Sequence, residues 1–232
     1  MTSVMLVPPE RSLVTIRAVA FDLDYTLAVP TSDRTTILRN ASVATGAPTL
    51  SRSAYLEAHS RNLTSETRTP IFEHLLAQRG SDVDPAALAT EYRERIAAAL
   101  VPIDGARDFL SSLRETYTVG LLTNGPRVAQ RDKLETLGWT DAFDVALVTG
   151  ELDAGKPDPI AFEALLDALG TAPEETVYVG DDVDADIGGA DTAGLVPVQV
   201  VFEGGPDPDP RAAAHVEREE LTTRLPDLLE EL

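Results

Sequence analysis

Ala18-Val19-Ala20-Phe21, running into Asp22-Leu23-Asp24-Tyr25-Thr26-Leu27, is the stretch on which the reading of this chain turns. Four consecutive apolar residues of this kind form a short strand buried on both faces, as in a parallel sheet covered by helices. Acids directly after such a strand stand at its carboxyl end, where open α/β sheets place their ligands. Asp22 is therefore a candidate nucleophile, and Asp24, two residues on, a candidate proton donor.

Working outward, three more stretches put polar chemistry at the same kind of junction. Thr123-Asn124-Gly125 follows the apolar run Val119-Gly120-Leu121-Leu122. Lys156-Pro157-Asp158-Pro159 precedes an amphipathic helix. Val177-Tyr178-Val179-Gly180 runs into Asp181-Asp182-Val183-Asp184-Ala185-Asp186. From Gly105 onward the periodicity alternates between helix and strand. Helices are expected at 105–115, 127–137, 158–169 and 184–193, with Gly138 and Gly170 as stops. Strands are expected at 117–122, 143–148, 176–180 and 196–201. This is the βαβ rhythm of a parallel sheet with helices on its faces. Residues 204–210, rich in Gly, Pro and Asp, read as a surface loop, and 219–231 as a last short helix. Residues 1–16 carry no clear period and read as a lead-in or an extra edge strand.

Between Asp24 and Gly105 the alternation is suspended. Ile37, Leu38, Ala41 and Ala44 fall on one helix face, as do Ile71, Phe72, Leu75 and Leu76, and then Leu88, Tyr92, Ile96 and Leu100. Asp84-Pro85 marks a helix start, with Asp at the cap and Pro in the first turn. The stretch reads as a helical insert between the first and second core strands.

Composition narrows the classes of function. The 232 residues suffice for a substantial core, and the hydrophobic share of 43% is that of an ordinary globular protein. No apolar stretch reaches the roughly 20 residues a membrane span needs. The start of the chain has neither the basic opening nor the apolar stretch of a secretory signal, so a cytoplasmic location is expected. The absence of cysteine excludes disulfide and thiol chemistry. A net charge of −20 argues against binding a nucleic-acid backbone, since no Lys/Arg-rich patch is present to displace counterions. Lys133 and Lys156 are the only lysines, and the other 17 of the 19 basic residues are arginine. Abundant acid with almost no lysine resembles proteins of salt-accumulating haloarchaea, whose self-repulsion is screened in concentrated salt.

If the sheet gathers Asp22, Asp24, Asp181, Asp182 and Asp186 at one edge, the carboxylates repel and raise one another's pKa unless a cation neutralises them. Oxygen ligands without His or Cys suit Mg²⁺ far better than zinc.

The four motifs, in order and spacing, resemble those of the haloacid dehalogenase-like hydrolase superfamily, over about Val14 to Val201. The resemblance implies an α/β fold, with a Rossmann-like parallel-sheet core, helices on both faces, and an α-helical cap domain. The core is expected over 14–29 and 104–232, and the cap over 30–103. The short gap between Asn124 and Lys156 leaves no room for the sheet-type cap of the same family. By this resemblance Asp22 attacks phosphorus and Asp24 acts as acid and then base. Thr123 and Asn124 hold phosphate oxygens, and Lys156 pins Asp22 and the phosphate. Mg²⁺ is assigned to the Asp22 carboxylate, the Asp24 carbonyl and Asp181. Asp182 and Asp186 both stay open as further contacts, because Asp182 stands where the family often has a small polar residue.

The implied activity is a Mg²⁺-dependent phosphomonoesterase for a small phosphorylated metabolite. A sugar phosphomutase shares the core motifs, and differs in whether the cap shields the aspartyl-phosphate from water. A 2-haloacid dehalogenase is disfavoured by Asp24, which dehalogenases of this superfamily lack. A phosphonatase is disfavoured because the insert has no lysine for a Schiff base. A catalytically silent binding protein is the reading from outside enzymology. His59, His74 and His215 are expected to be structural or exposed, with one cap histidine touching substrate as the alternative. Trp139 is expected in the core. Which of Arg34, Arg39, Arg52, Arg61 and Arg68 face inward is not legible in the pattern, so the substrate and the oligomeric state stay open.

Overall fold

The strand Ala18–Phe21 (β1) lies at the centre of a sheet, every residue fully buried. A computed structural model of the chain describes residues 15–232. The lead-in or edge-strand reading of the first residues falls almost wholly outside these. Six strands form one parallel sheet. After β1 come β4 (Thr118–Thr123), β5 (Val145–Val148), β6 (Thr176–Gly180), β7 (Val196–Val201) and β8 (Ala214–Glu217), once the intervening ribbon of β2 (Ala28–Pro30) and β3 (Leu100–Pro102) is counted. The sheet order is β5-β4-β1-β6-β7-β8. β1 pairs with β4 on one side and β6 on the other, so the strand order reverses across it. The carboxyl ends of these three strands therefore open on one crevice.

Helices cover both faces because each strand is apolar on both. On one face α5 (Ala106–Leu113) and α9 (Leu221–Glu231) bury Phe109, Leu110, Leu113, Leu221, Leu225 and Leu229 against Val19, Phe21 and Val119. Trp139 is buried in this cluster, as expected. On the other face α7 (Pro159–Leu169) packs Phe162 and Leu165 against Ala18, Ala20 and Leu122. α7 begins where Asp158 accepts from Ile160 N and ends at Gly170, whose φ of 70° is a left-handed stop. α6 (Arg127–Thr136) follows β4 and turns Gln130, Lys133 and Leu134 inward.

The insert holds four helices, α1 (Arg34–Thr45), α2 (Arg52–Ser60), α3 (Thr69–Ala77) and α4 (Pro85–Ala99). They enclose a separate cluster of Ile37, Leu38, Tyr55, Phe72, Tyr92 and neighbours. Asp84 caps α4 through Ala86 N, with Pro85 first in the helix, as its sequence signals.

Three features differ from the expectation. The insert is not helical throughout: β2 and β3 form an antiparallel ribbon where the chain leaves and re-enters the core. With three residues each, these strands are too short to show a period. β8 was not foreseen, because its register with β7, Val198↔Ala214 to Val201↔Glu217, depends on a loop folding back. The helix expected at 184–193 is a π-helical turn at Val183–Gly188 followed by α8 (Gly189–Thr192). Asp182 and Asp186 shape that turn, as described next.

Candidate active site

The end of β1 delivers Asp22 into the crevice, and Asp22 N donates to Val179 O of β6 at 2.9 Å. The Asp22 carboxylate is buried and accepts from Lys156 Nζ at 2.7 Å. That ammonium, also buried, donates to Asp186 Oδ1 and to Tyr178 Oη, each at 2.7 Å. Tyr178 Oη donates onward to Leu122 O at 2.8 Å. Every donor on Lys156 thus has a partner. Burial alone would push the ammonium down, but Asp186 and Asp22 raise it well above its ordinary value and keep it charged.

Asn124 fixes the backbone of that lysine. Its Nδ2 donates to Lys156 O at 2.8 Å, and its Oδ1 accepts from Lys156 N at 2.9 Å. The side chain expected to hold phosphate is therefore engaged on both its atoms in ordering the loop that carries Lys156. Thr123, the last residue of β4, is buried and its Oγ1 accepts from Gln130 Nε2 at 2.9 Å.

Asp181 directly follows β6, and Asp186 lies in the π-helical turn after it. The carboxylates of Asp22, Asp181 and Asp186 each offer an oxygen, all within 4.8 Å of one another. Thr26 Oγ1 donates to Asp181 Oδ1 at 3.3 Å. Burial, with the neighbouring Asp186 and Asp22 charges, pushes the Asp181 carboxyl up to about 9. Burial pushes Asp22 up to about 7, against the pull of Lys156 and with the push of Asp186 and Asp24. One lysine does not balance three carboxylates.

Of Asp182 and Asp186, it is Asp186 that joins the carboxylate cluster. Its Oδ2 accepts from Asp182 N at 3.0 Å, and its carboxylate lies against Gly180, where a Cβ would come within 2.4 Å. A glycine at the end of β6 is what admits it. Asp182 is exposed and outside the carboxylate cluster. Its Oδ1 caps the following turn, accepting from Asp184 N at 3.0 Å and Ala185 N at 2.8 Å. Both side chains line the cavity, and of the two Asp186 alone has an oxygen within the cluster.

Asp24 lines the same cavity outside this cluster. Its Oδ1 accepts from Arg34 Nη2 at 2.6 Å, and its Oδ2 pairs with Lys133 Nζ and lies 3.3 Å from Gln130 Nε2. Burial pushes the Asp24 carboxyl up, but Lys133 and Arg34 outweigh it and hold it well below the usual carboxylate range. Burial, assisted by Arg34 and Arg68, pushes Lys133 down to about 7 against the pull of Asp24.

The groups line one cavity of about 210 Å³, walled on the insert side by Arg34, Arg52, Arg68, Tyr55, His59 and Tyr92. Of the five arginines left open by the sequence, Arg34, Arg52 and Arg68 line it. Arg39 bonds Thr36, and Arg61 pairs with Glu57 on the surface. His59 reaches the cavity and stacks on Tyr55, whereas His74 and His215 are exposed, the former beside Gln78. Lys133 and Gln130 were not singled out from the sequence. The available signal was their spacing with Ala129 and Leu134 on the inward face of α6.

A family model described as haloacid dehalogenase-like hydrolase matches residues 16–194. A glyceraldehyde 3-phosphate phosphatase of Methanopyrus kandleri is 37% identical over 60% of this chain and 62% of its own. A phosphoserine phosphatase of Thermus thermophilus is 38% identical over 57% of this chain and 54% of its own. The chain thus spans a little over half the length of these curated relatives. In overall fold it is similar to the magnesium-bound HAD-hydrolase YfnB of Bacillus subtilis, at TM-score 0.69 and 23% identity, covering 93% of this chain and 99% of that one. None of the described helices is long and apolar enough to cross a membrane. A match over most of the chain, with all four expected motifs converging at the carboxyl edge of a parallel sheet, makes this chain a member of the haloacid dehalogenase-like hydrolase family.

Proposed function

We propose that the protein is a Mg²⁺-dependent phosphatase that hydrolyses a small phosphomonoester through an aspartyl-phosphate. The observation that carries this reading is the placement of Lys156 Nζ at 2.7 Å from both Asp22 and Asp186, beside the three-carboxylate cluster. Helices α1–α4 are read as the cap, joined to the core through the β2–β3 ribbon, with 14–29 and 104–232 forming the catalytic unit. The relatives named as phosphatases support the reaction class.

The all-oxygen, mutually repelling set of Asp22, Asp181 and Asp186, with the Asp24 carbonyl, suits a hard divalent cation. Bound there, Mg²⁺ would offset the repulsion between an anionic nucleophile and an anionic phosphate.

Asp22 attacks phosphorus in line, and the P–O bond to the leaving alcohol breaks. Asp24 gives its proton to the departing oxygen, then takes a proton from the water that attacks the aspartyl-phosphate. That second attack breaks the Asp22–phosphorus bond and frees inorganic phosphate. Lys156 neutralises charge at the nucleophile, and Thr123 with nearby backbone N–H groups holds phosphate oxygens. In the structure Asp24 is held as an anion by Lys133 and Arg34. An incoming phosphate monoester monoanion competes for both cations, which loosens that grip, and gives up its own proton to Asp24, which then passes it to the departing oxygen.

Phosphate release from a panel of phosphomonoesters, with Mg²⁺ or EDTA, for the wild type and Asp22→Asn, tests the reading. Turnover requiring both Mg²⁺ and Asp22 is expected. No release from folded, Mg²⁺-loaded protein would sink it in favour of a mutase.

A further inference from the structure

The insert-side wall of the cavity carries more positive charge than one phosphate group needs. Arg68, at the start of α3, is 6% exposed, yet no carboxylate pairs with it among the described residues. Its Nε and Nη1 have no hydrogen-bond partner there, nor does Nη1 of Arg52, the first residue of α2. Their charges lie over aromatic rings. The Arg52 guanidinium carbon is 5.1 Å from the Tyr55 centroid, and that of Arg68 is 5.4 Å from the Tyr92 centroid. The two rings support each other edge to face at 5.0 Å. Such stacking orients a guanidinium and leaves its edge donors free.

Leaving a buried cation unpaired is costly, and this chain has 39 acids for 19 Lys and Arg. None of those acids is spent on Arg52 or Arg68 among the described residues. Lys133 and Arg34 share the single carboxylate of Asp24, and Lys156 is matched by Asp22 and Asp186. His59 lines the same cavity with its Nδ1 also unpartnered, and burial together with Arg68, Lys133 and Arg52 pushes it down to about 3, so it adds no charge of its own. The surplus therefore includes two guanidinium forks on the insert side of the cavity, neither with a carboxylate of its own among the described residues. Planar forks of this kind bind carboxylates and phosphoryl groups in bidentate fashion.

We infer that the substrate is a compact dianion-bearing ester: besides the phosphate placed at Asp22, it carries a second anionic group, a carboxylate or another phosphoryl group, held by Arg68 and Arg52. This rests on the phosphatase reading for the position of the first anion. The cavity of about 210 Å³ is smaller than the roughly 300–1,000 Å³ of pockets that enclose drug-sized ligands. The two anions are accordingly separated by only a few bonds.

Three esters built on the same two-carbon backbone separate the alternatives: 2-phosphoglycolate, 2-hydroxyethyl phosphate and ethylene glycol bisphosphate. Their affinities for Asp22→Asn protein with Mg²⁺, measured by calorimetry, are compared with those after Arg68→Gln or Arg52→Gln is added. The first or third ester is expected to bind about 10- to 100-fold more tightly than the hydroxyethyl ester, as charge-assisted hydrogen bonds allow. Whichever of the two wins identifies the second anion. Arg68→Gln is expected to bring the ratio close to one, with Arg68→Lys keeping part of it. Equal affinity for all three esters, or a preference untouched by both glutamine variants, overturns the inference. Circular dichroism checks folding, and the half-buried Arg52 supplies the variant if Arg68→Gln does not fold. Failure of the phosphatase reading shows separately, as absence of phosphate release by the wild type from every ester while the binding preference persists.

Discussion

Lys156 and Asp22, 134 residues apart in sequence, meet at 2.7 Å in a buried ion pair that Asp186 shares. Because neither side is wet, removing the cation leaves two uncompensated carboxylates. Lys156→Met is expected to abolish turnover and to cost about 3–5 kcal/mol of stability, as breaking a buried pair does. Urea unfolding with and without Mg²⁺ checks this, and a divalent cation is expected to restore part of the loss.

Asp24 is matched on one side by Arg34 and on the other by Lys133. Asp24→Asn keeps the shape, removes the proposed acid–base group, and is expected to lower kcat by about 10²–10⁴-fold. A kcat within a factor of a few of wild type would remove Asp24 from the mechanism. Lys133→Met leaves Asp24 with Arg34 alone, and a drop in melting temperature is expected from calorimetric scans.

The carboxylate cluster predicts a separation between Asp186 and Asp182. Mg²⁺ at 100 times its Kd is expected to stabilise the wild type by about 2.7 kcal/mol, by mass action. Asp186→Asn is expected to remove that increment. Asp182→Ala is expected to keep it, while costing about 1 kcal/mol for the lost cap of the turn. Thermal scans over a Mg²⁺ titration distinguish the two variants. An increment lost in Asp182→Ala and kept in Asp186→Asn would reverse the assignment.

His59 gives a pH dependence of definite sign. Its folded pKa is pushed down to about 3 by burial and by Arg68, Lys133 and Arg52. The unfolded chain binds a proton near pH 6.5 that the folded chain refuses. Stability therefore falls as pH drops below about 6.5 and goes on falling towards 3. His59→Gln is expected to flatten this part of the profile in urea titrations between neutral and mildly acidic pH, with the remaining slope left by the carboxylates.

A net charge of −20 predicts salt dependence. Raising KCl from about 0.1 M to about 1 M shortens the Debye length from about 10 Å to about 3 Å. The melting temperature is expected to rise over that range. A flat or falling profile would remove the halophilic reading of the composition.

The strand–helix alternation, the helical periods of the insert and the caps at Asp84, Asp158 and Gly170 were all legible in the sequence, because each depends on residues a few positions apart. So was the placing of Asp22, Thr123, Lys156 and Asp181 at strand ends and loop junctions, since a parallel sheet brings its carboxyl ends to one edge whatever its strand order. Tertiary structure decided what depends on distant segments meeting. It set Lys133 against Asp24 across 109 residues, engaged Asn124 with the Lys156 backbone, and turned Arg34, Arg52 and Arg68 inward while leaving Arg39 and Arg61 outside. It also put Asp186 rather than Asp182 in the carboxylate cluster, beside Gly180 and bonded to Lys156. Local pattern fixes which face of an element is apolar, whereas the partner of a polar side chain on that face is set by whichever remote group packing brings within reach.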